Sequence, residues 1–315
     1  MRTSAPRVLF ALGAALAVAM IVSIGRGPVP LSPLEVLAAI GAKLGLPVDV
    51  TARDVSIVWS LRVPRVLLGA LVGAGLATAG GALQGVVRNP LADPTIIGVS
   101  GGAALGAVCA FVLGAQLLAH PTYGPWIVPA AAFGGALAAT RLALALARVD
   151  GVTSGVTILL AGIGLAALCG AGIGVLLYLA DDAALRSVTF WTLGSLGGAT
   201  WMLVATAGLP ILLGLVVLPR LAGDLDRMAL GDAEARHVGV DVDRTIRLVV
   251  AAVALTVGAA VAACGIISFV GLAVPFLVRA LLGPVHRTLL PACADRKSTR
   301  LNSSHCTPSR MPSSA

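Results

Sequence analysis

Residues 62–106 read RVPRVLLGALVGAGLATAGGALQGVVRNPLADPTIIGVSGGAALG, and this stretch decides the fold. From Val66 to Val87 no residue is charged, and at about 1.5 Å of rise per residue such a run crosses a hydrocarbon core ~30 Å thick. Arg62 and Arg65 stand at the mouth of the expected helix. Pro64 falls in its opening turn, where a missing N–H costs nothing. Asn89-Pro90 is expected to stop the helix, because proline disfavours the α conformation in the residue before it. Asp93-Pro94 then opens a second span, with the Asp as cap and the Pro at the first helical position. Small residues recur four apart, Gly69 with Gly73 and then Gly98, Gly102 and Gly106. In lipid that spacing lets backbones touch, and packing replaces the hydrophobic effect as the source of association. Gln84, Asn89 and Pro90 are grouped with these glycines as packing or pathway positions.

Working outward, the composition fits the same reading. Of 315 residues 58% are hydrophobic and 11% charged, with a mean hydropathy of +0.98. A soluble core of this length does not need such a composition, whereas a polytopic membrane protein does. The fold class is therefore an all-α, polytopic transmembrane helical bundle. Spans are expected over 8–25, 66–87, 94–118, 126–147, 157–180, 201–218 and 245–264, with a shorter eighth through GIISFVGLAVPFLVRALLG. Ser32-Pro33-Leu34-Glu35 is a capping box that should begin a short outer-surface helix to about Ala42. Residues 150–156 read as a flexible inner loop, 181–200 as an outer loop that could break or re-enter at LGSLGG, and 219–244 as a long polar inner loop. Basic residues flank the spans, so the net charge of +8 is assigned to the membrane surface and not to nucleic acid. Arg141 lies well inside a span and is expected to snorkel towards the inner interface.

The catalytic inventory is nearly empty. There is no G-x-x-x-x-G-K-[ST], H-E-x-x-H or G-x-S-x-G. Cys109, Cys169, Cys264, Cys293 and Cys306 form no C-x-x-C pair, which implies neither a disulfide framework nor a metal site. His120, His237, His286 and His305 fall outside the spans, and no carboxylate falls inside one. That argues against a proton-coupled carrier, which normally needs buried carboxylates. A secondary carrier or channel acting alone is the alternative reading.

The run LRVPR…GAGLATAGGALQGVVRNPLADPTIIGVSGGAALG closely resembles the FecCD-like family, the permease subunits of iron–siderophore, haem and cobalamin ABC importers. Further matches run from Leu31 to about Ala294. The resemblance implies a dimer with a second permease subunit in the inner membrane, two ATP-binding cassette subunits and an external substrate-binding protein. ATP and Mg would sit on the partner ATPase, with no cofactor on this chain. It also implies roles for two segments. Arg62 and Arg65, three apart on one helical face, would dock the binding protein; interfacial anchoring is the other reading of the pair. The family's LALG-x-x-x-A-x-x-LG coupling segment appears here as Leu230, Gly231, Ala235 and Val238-Gly239, with Glu234 in the first turn. Local signals agree on a short helix: Asp232 and Glu234 begin it, Arg236 and His237 end it, and Gly239 suits the C′ cap. Small Ala235 and Gly239 are expected to let it lie close to the ATPase. Phe276 stands where the family commonly has His.

Members of that family usually have ten spans. Here HRTLLPACA resembles the start of a ninth and passes into DRKSTRLNSSHCTPSRMPSSA, which is polar and Ser-rich. The expectation is an incomplete permease domain over 1–294, a stranded ninth span and an unrelated or disordered tail over 295–315. Such a product would not transport.

Overall fold

The structure is a computed structural model that describes residues 5–27, 29–48, 50–114, 118–149 and 152–296. The tail assigned to 295–315 thus lies, from residue 297 on, outside the described residues.

The apolar runs become helices, with their ends set by local chemistry. After α1 (Ala5–Gly25), α2 (Pro33–Lys43) opens on the expected capping box. Ser32 Oγ accepts the Glu35 N–H at 3.2 Å, and Glu35 accepts the Ser32 N–H at 2.6 Å. The decisive helix, α3, differs from expectation at its start: it runs unbroken over 36 residues from Ala52 to Val87. Pro64 is carried inside it by a π turn, Ile57–Arg62, in which the Val63 N–H donates to the Val58 carbonyl five residues back. The wider turn accommodates a ring that would otherwise crowd the carbonyl four residues earlier. In this register the Trp59 carbonyl loses the N–H that proline lacks. The Trp201 indole donates to it instead at 2.8 Å, with the two rings 5.0 Å apart.

At the other end Arg88 adopts a left-handed cap (φ 54°) and the chain turns. Asp93 caps Thr95 N–H at 2.9 Å as expected, but Pro94–Ile97 forms only a 3-10 turn. Gly98, at φ 86°, redirects the chain before α4 (Val99–Leu113) begins. The span expected over 94–118 is therefore two pieces. α5 (Gly124–Leu146) returns inward. The expected flexible loop that follows is instead a small hairpin, β1 (Arg148–Val149) antiparallel to β2 (Val152–Thr153). It is fixed by the Thr153 N–H, which donates to Asp243 Oδ1 at 2.9 Å. α6 (Gly155–Tyr178) follows, and then α7 (Asp182–Thr192), which was not expected in the outer loop. It is capped by Asp181, which accepts the Ala184 N–H at 2.7 Å. α8 (Trp201–Arg220) leads to two short inner helices, α9 (Ala222–Met228) and α10 (Asp232–His237). α11 (Val242–Cys264), α12 (Val270–Leu282) and α13 (His286–Arg296) complete the described chain.

Among the described residues, α3, α5, α6, α8 and α11 are long and apolar enough to cross a membrane. Three shorter apolar helices, Gly13–Gly25, α4 and α12, bring the set to the eight expected. α3 is the centre: 83% of its apolar window is buried, against 22% for α6. HRTLLPACA is not stranded. α13 packs on α3, with Leu289, Leu290, Ala292 and Cys293 fully buried. It fits because α3 presents small residues there. A Cβ on Gly81 would stand 3.0 Å from Leu290 Cδ2, and one on Gly85 would meet the His286 ring.

Close backbone approach recurs wherever the helices cross. Gly102 and Gly106 of α4 face the Gly135 and Ala131 carbonyls of α5, and Gly80 of α3 faces the Gly271 carbonyl of α12. Of the glycines singled out by spacing, Gly102 and Gly106 serve that purpose. Gly69 packs instead on Leu196 of the outer loop, Gly98 is a conformational hinge, and Gly73 is buried within α3. Gly106→Leu is expected to force overpacking of about 1–3 kcal/mol and to lower the thermal midpoint in detergent. Gly134→Leu, where a Cβ meets nothing within 4 Å, should leave it near wild type. Equal midpoints for the two variants would contradict the assigned crossing.

Candidate functional site

Two surfaces, one at each end of α3, carry the polar side chains. At the outer end the two arginines part company. Arg62 is only 9% exposed and does not present a docking face. Its Nη1 donates to the carbonyls of Ile24 at 2.7 Å and Gly25 at 3.1 Å, and its Nη2 to that of Val29. The guanidinium thus binds carbonyls at and just beyond the C-terminus of α1, where a cation is also favoured by the helix dipole. Arg65 is exposed and donates to the Gly197 carbonyl at 3.2 Å, beside the glycine-rich outer loop. Of the expected docking pair, then, only Arg65 lies on the surface.

At the inner end the polar loop is folded. α10 closes with a complete Schellman arrangement: Gly239 (φ 86°) donates to the Arg236 carbonyl, and Val240 to that of Ala235. Gly231 (φ 129°) turns the chain into α10, with the Glu234 side chain folded over it. Ala235 is fully buried against this chain's own core, which corrects the expectation that it lines a partner's surface. The exposed apolar residues are Leu230 at 76% and Val238 at 62%, flanking the helix. Carboxylates tie this loop down. Asp232 pairs with Arg88, the cap of α3, at 3.1 Å, and Asp243 pairs with Arg236 at 3.4 Å. Asp226 of α9 caps α13, accepting from His286 N at 2.6 Å and pairing with Nδ1 at 2.8 Å.

His286 is 6% exposed, and sequence reasoning missed it. No spacing rule links it to Asp226, sixty residues earlier. Burial pushes its pKa below the ordinary 6.5, with Arg279 adding to the push and the Asp226 hydrogen bond and charge opposing it. Its Nδ1 faces the Asp226 carboxylate at 2.8 Å, and Nε2, aimed at Gly85, has no partner among the described residues.

Between the two ends the lining is apolar. A groove of about 750 Å³ runs between α4, α5 and α6, with Gly102, Leu105, Gly106, Ala131, Gly135 and Cys169 among its walls. Gln84, 2% exposed, donates to the Ala92 carbonyl at 3.2 Å. Asn89 and Pro90 shape the turn and do not pack helices: Asn89 Oδ1 accepts the Leu91 N–H at 2.9 Å. Phe276 is half exposed on α12. Among the described residues no three His, Cys, Asp or Glu side chains converge as metal ligands would.

A model of the FecCD transport family matches residues 15–295. The chain belongs to that family. It is a multi-pass permease subunit of the inner membrane. It is 40% identical over 273 residues to the cobalamin import system permease protein BtuC of Halobacterium salinarum, covering 87% of this chain and 71% of that protein. It is 41% identical over 238 residues to the hemin transport system permease protein HmuU of Yersinia pestis, covering 75% and 70%. A solved structure of a metal-chelate type ABC transporter in an inward-facing conformation superposes with a TM-score of 0.82 at 28% identity, over 94% of this chain and 88% of that one.

Two outcomes follow from the arginine and the histidine. Arg62→Ala should leave the Ile24 and Val29 carbonyls without this donor, a loss of about 1–3 kcal/mol, and raise hydrogen exchange over residues 24–31. Arg65→Ala should change neither stability nor exchange there. For His286 the lowered pKa means that the unfolded chain takes up the proton first. The contribution to stability is therefore complete above about pH 6.5 and lost as the pH falls below it. Thermal midpoints measured from about pH 7.5 to 5.5 should fall less in His286→Gln than in wild type.

Proposed function

We propose that this chain is the permease subunit of an ATP-driven importer for a bulky metal chelate, of the iron–siderophore, haem or cobalamin kind. It receives its cargo from an external binding protein and pairs with a second permease subunit and two ATPase subunits. ATP and Mg are bound by the ATPase, and this chain performs no hydrolysis. The observation that carries the reading is α10. It is a short helix at the inner end, closed by a Schellman turn and salt-bridged to α3, that offers Leu230 and Val238 outward from an otherwise charged loop. Exposed apolar side chains on a rigid polar mount are what a partner protein's groove engages. At the outer end Arg65 supplies a rim charge for an acidic partner. Such a charge serves encounter rate and orientation more than affinity.

The apolar walls fit a large cargo that is passed along without being gripped by ligands. The relatives named above carry cobalamin and hemin in their names, which supports a metal chelate as the class. Uptake of labelled cobalamin, haem and a ferric siderophore by a deletion strain carrying this gene tests the reading. Accumulation of one of the three that depends on the partner ATPase is expected. Uptake that persists without any ATPase would overturn it in favour of a carrier acting alone.

The coupling face is tested by Leu230→Glu with Val238→Glu. Loss of an apolar anchor should weaken ATPase association about tenfold, the equivalent of ~1.4 kcal/mol. Wild-type association in nanodiscs would remove α10 from the interface. Separately, Arg65→Glu should slow binding-protein association and flatten its salt dependence. Arg62→Glu should fail earlier, in folding.

A further inference from the structure

We propose that Asp226 and His286 form a strut that carries movement of the inner loop into the last turn of α3, making them positioning residues for transport. The inference rests on the importer reading above. It starts from one carboxylate with several partners. Asp226 Oδ1 accepts the backbone N–H of His286 at 2.6 Å and holds its Nδ1 at 2.8 Å, while Oδ2 accepts the Arg287 N–H at 3.4 Å. α9 therefore supplies the N-cap of α13, a helix sixty residues away in sequence.

The ring of His286 continues the link. It is buried, and its Nε2 lies against the backbone of α3 at Gly85, where a Cβ would come within 2.6 Å. No side chain stands between the imidazole and the helix. One turn further along, Gly81 receives Leu290, so α13 is seated in a notch that only small residues leave open. Arg88, on the same last turn of α3, is held independently by Asp232 at 3.1 Å. The two links differ in kind. Arg88 and Asp232 are partly exposed, at 43% and 24% for their side chains, and so are screened by water and salt. Asp226 and His286 are less exposed, at 23% and 7%, and their contact is steric as well as polar.

A partner that displaces Leu230 and α10 also displaces α9, which packs on α10 and α13. The buried link gives that displacement a rigid route into the residues beside Gln84. The charges around the imidazole are Asp226 from α9 and Arg279 from α12, with Arg287 next to it on α13. Burial and Arg279 lower the pKa of the imidazole, and Asp226 opposes them.

The test uses the permease assembled with its ATPase in proteoliposomes, scoring chelate moved per ATP hydrolysed, and the same complex in nanodiscs, scoring the ATP-dependent change in hydrogen exchange over residues 78–88. Asp226→Ala should bind the ATPase and keep its hydrolysis rate, while transport per ATP falls at least about fivefold, the low end of coupling free energies. The exchange response should vanish with it. Asp226→Asn, which keeps an acceptor oxygen, should recover most of both. His286→Gln provides a second variant should Asp226→Ala fail to fold, and it should uncouple likewise. Leu289→Ala loosens the same helix without touching the pair and should lower the melting point with coupling intact. Wild-type coupling in Asp226→Ala or His286→Gln, or equal uncoupling in Leu289→Ala, would overturn the strut. A wild-type complex that neither binds the ATPase nor responds to ATP would overturn the importer reading first, and the strut with it.

Discussion

A helix that crosses lipid and is covered on every side can hold its neighbours only through contact. α3 is in that position, and its small residues set how near each neighbour comes. Gly75 receives Ile211 of α8 and Thr256 of α11, Gly80 the backbone of α12, and Gly81 and Gly85 the side chains of α13. In lipid no hydrophobic gain favours helix pairing, so these van der Waals contacts and a few hydrogen bonds carry association. Any side chain larger than the one present would push a neighbour away and lose contacts on both sides of the gap. The outer helices answer to a weaker constraint. α6 leaves Leu160, Ile163, Leu168 and Val175 exposed, and its composition need only be apolar.

Electrostatics is confined to the ends, where water is available to solvate whatever is not paired. At the outer surface Arg62 closes one helix terminus and Arg65 remains exposed beside Gly197. At the inner surface Asp226, Asp232 and Asp243 each fasten a different part of the same loop. The loop is thereby a folded platform, and its apolar side chains are displayed at defined positions. The same division explains why the middle of the molecule shows little chemistry. A cargo that must be released is better served by walls of Ala, Gly and Leu than by ligands.

Much of this was legible in the residues, and for physical reasons. Long uncharged runs have one fate in lipid, so the eight apolar helices and their order followed from composition and length. Caps are local, and Ser32 with Glu35, Asp93 with Pro94, and Gly239 were all readable. What escaped reading depends on partners distant in sequence. Arg62 and Arg65 are identical by type and spacing. Only the approach of α1 decides that one is buried and the other exposed. Ala235 looked like a contact for a partner because it is small, but small residues serve equally well against the chain's own core. The packing glycines of α3 were misassigned in part because GAGLATAGGALQG is small on every face, and spacing cannot single out one stripe. His286 and Asp226 had no signal at all short of the fold that brings them together.

The indole of Trp201 fills the place of a proton that Pro64 does not have. A helix normally satisfies its own carbonyls, and here one of them is satisfied by a neighbour, so α3 and α8 share a hydrogen bond at a single level of the membrane. That level lies at the outer end, with the two tryptophan rings tilted against each other around it. The opposite end of α3 is fastened by an ion pair and a buried imidazole. The two ends are thus tied by different chemistry: a single neutral hydrogen bond fixes α3 against α8 outside, and charged groups fix it inside.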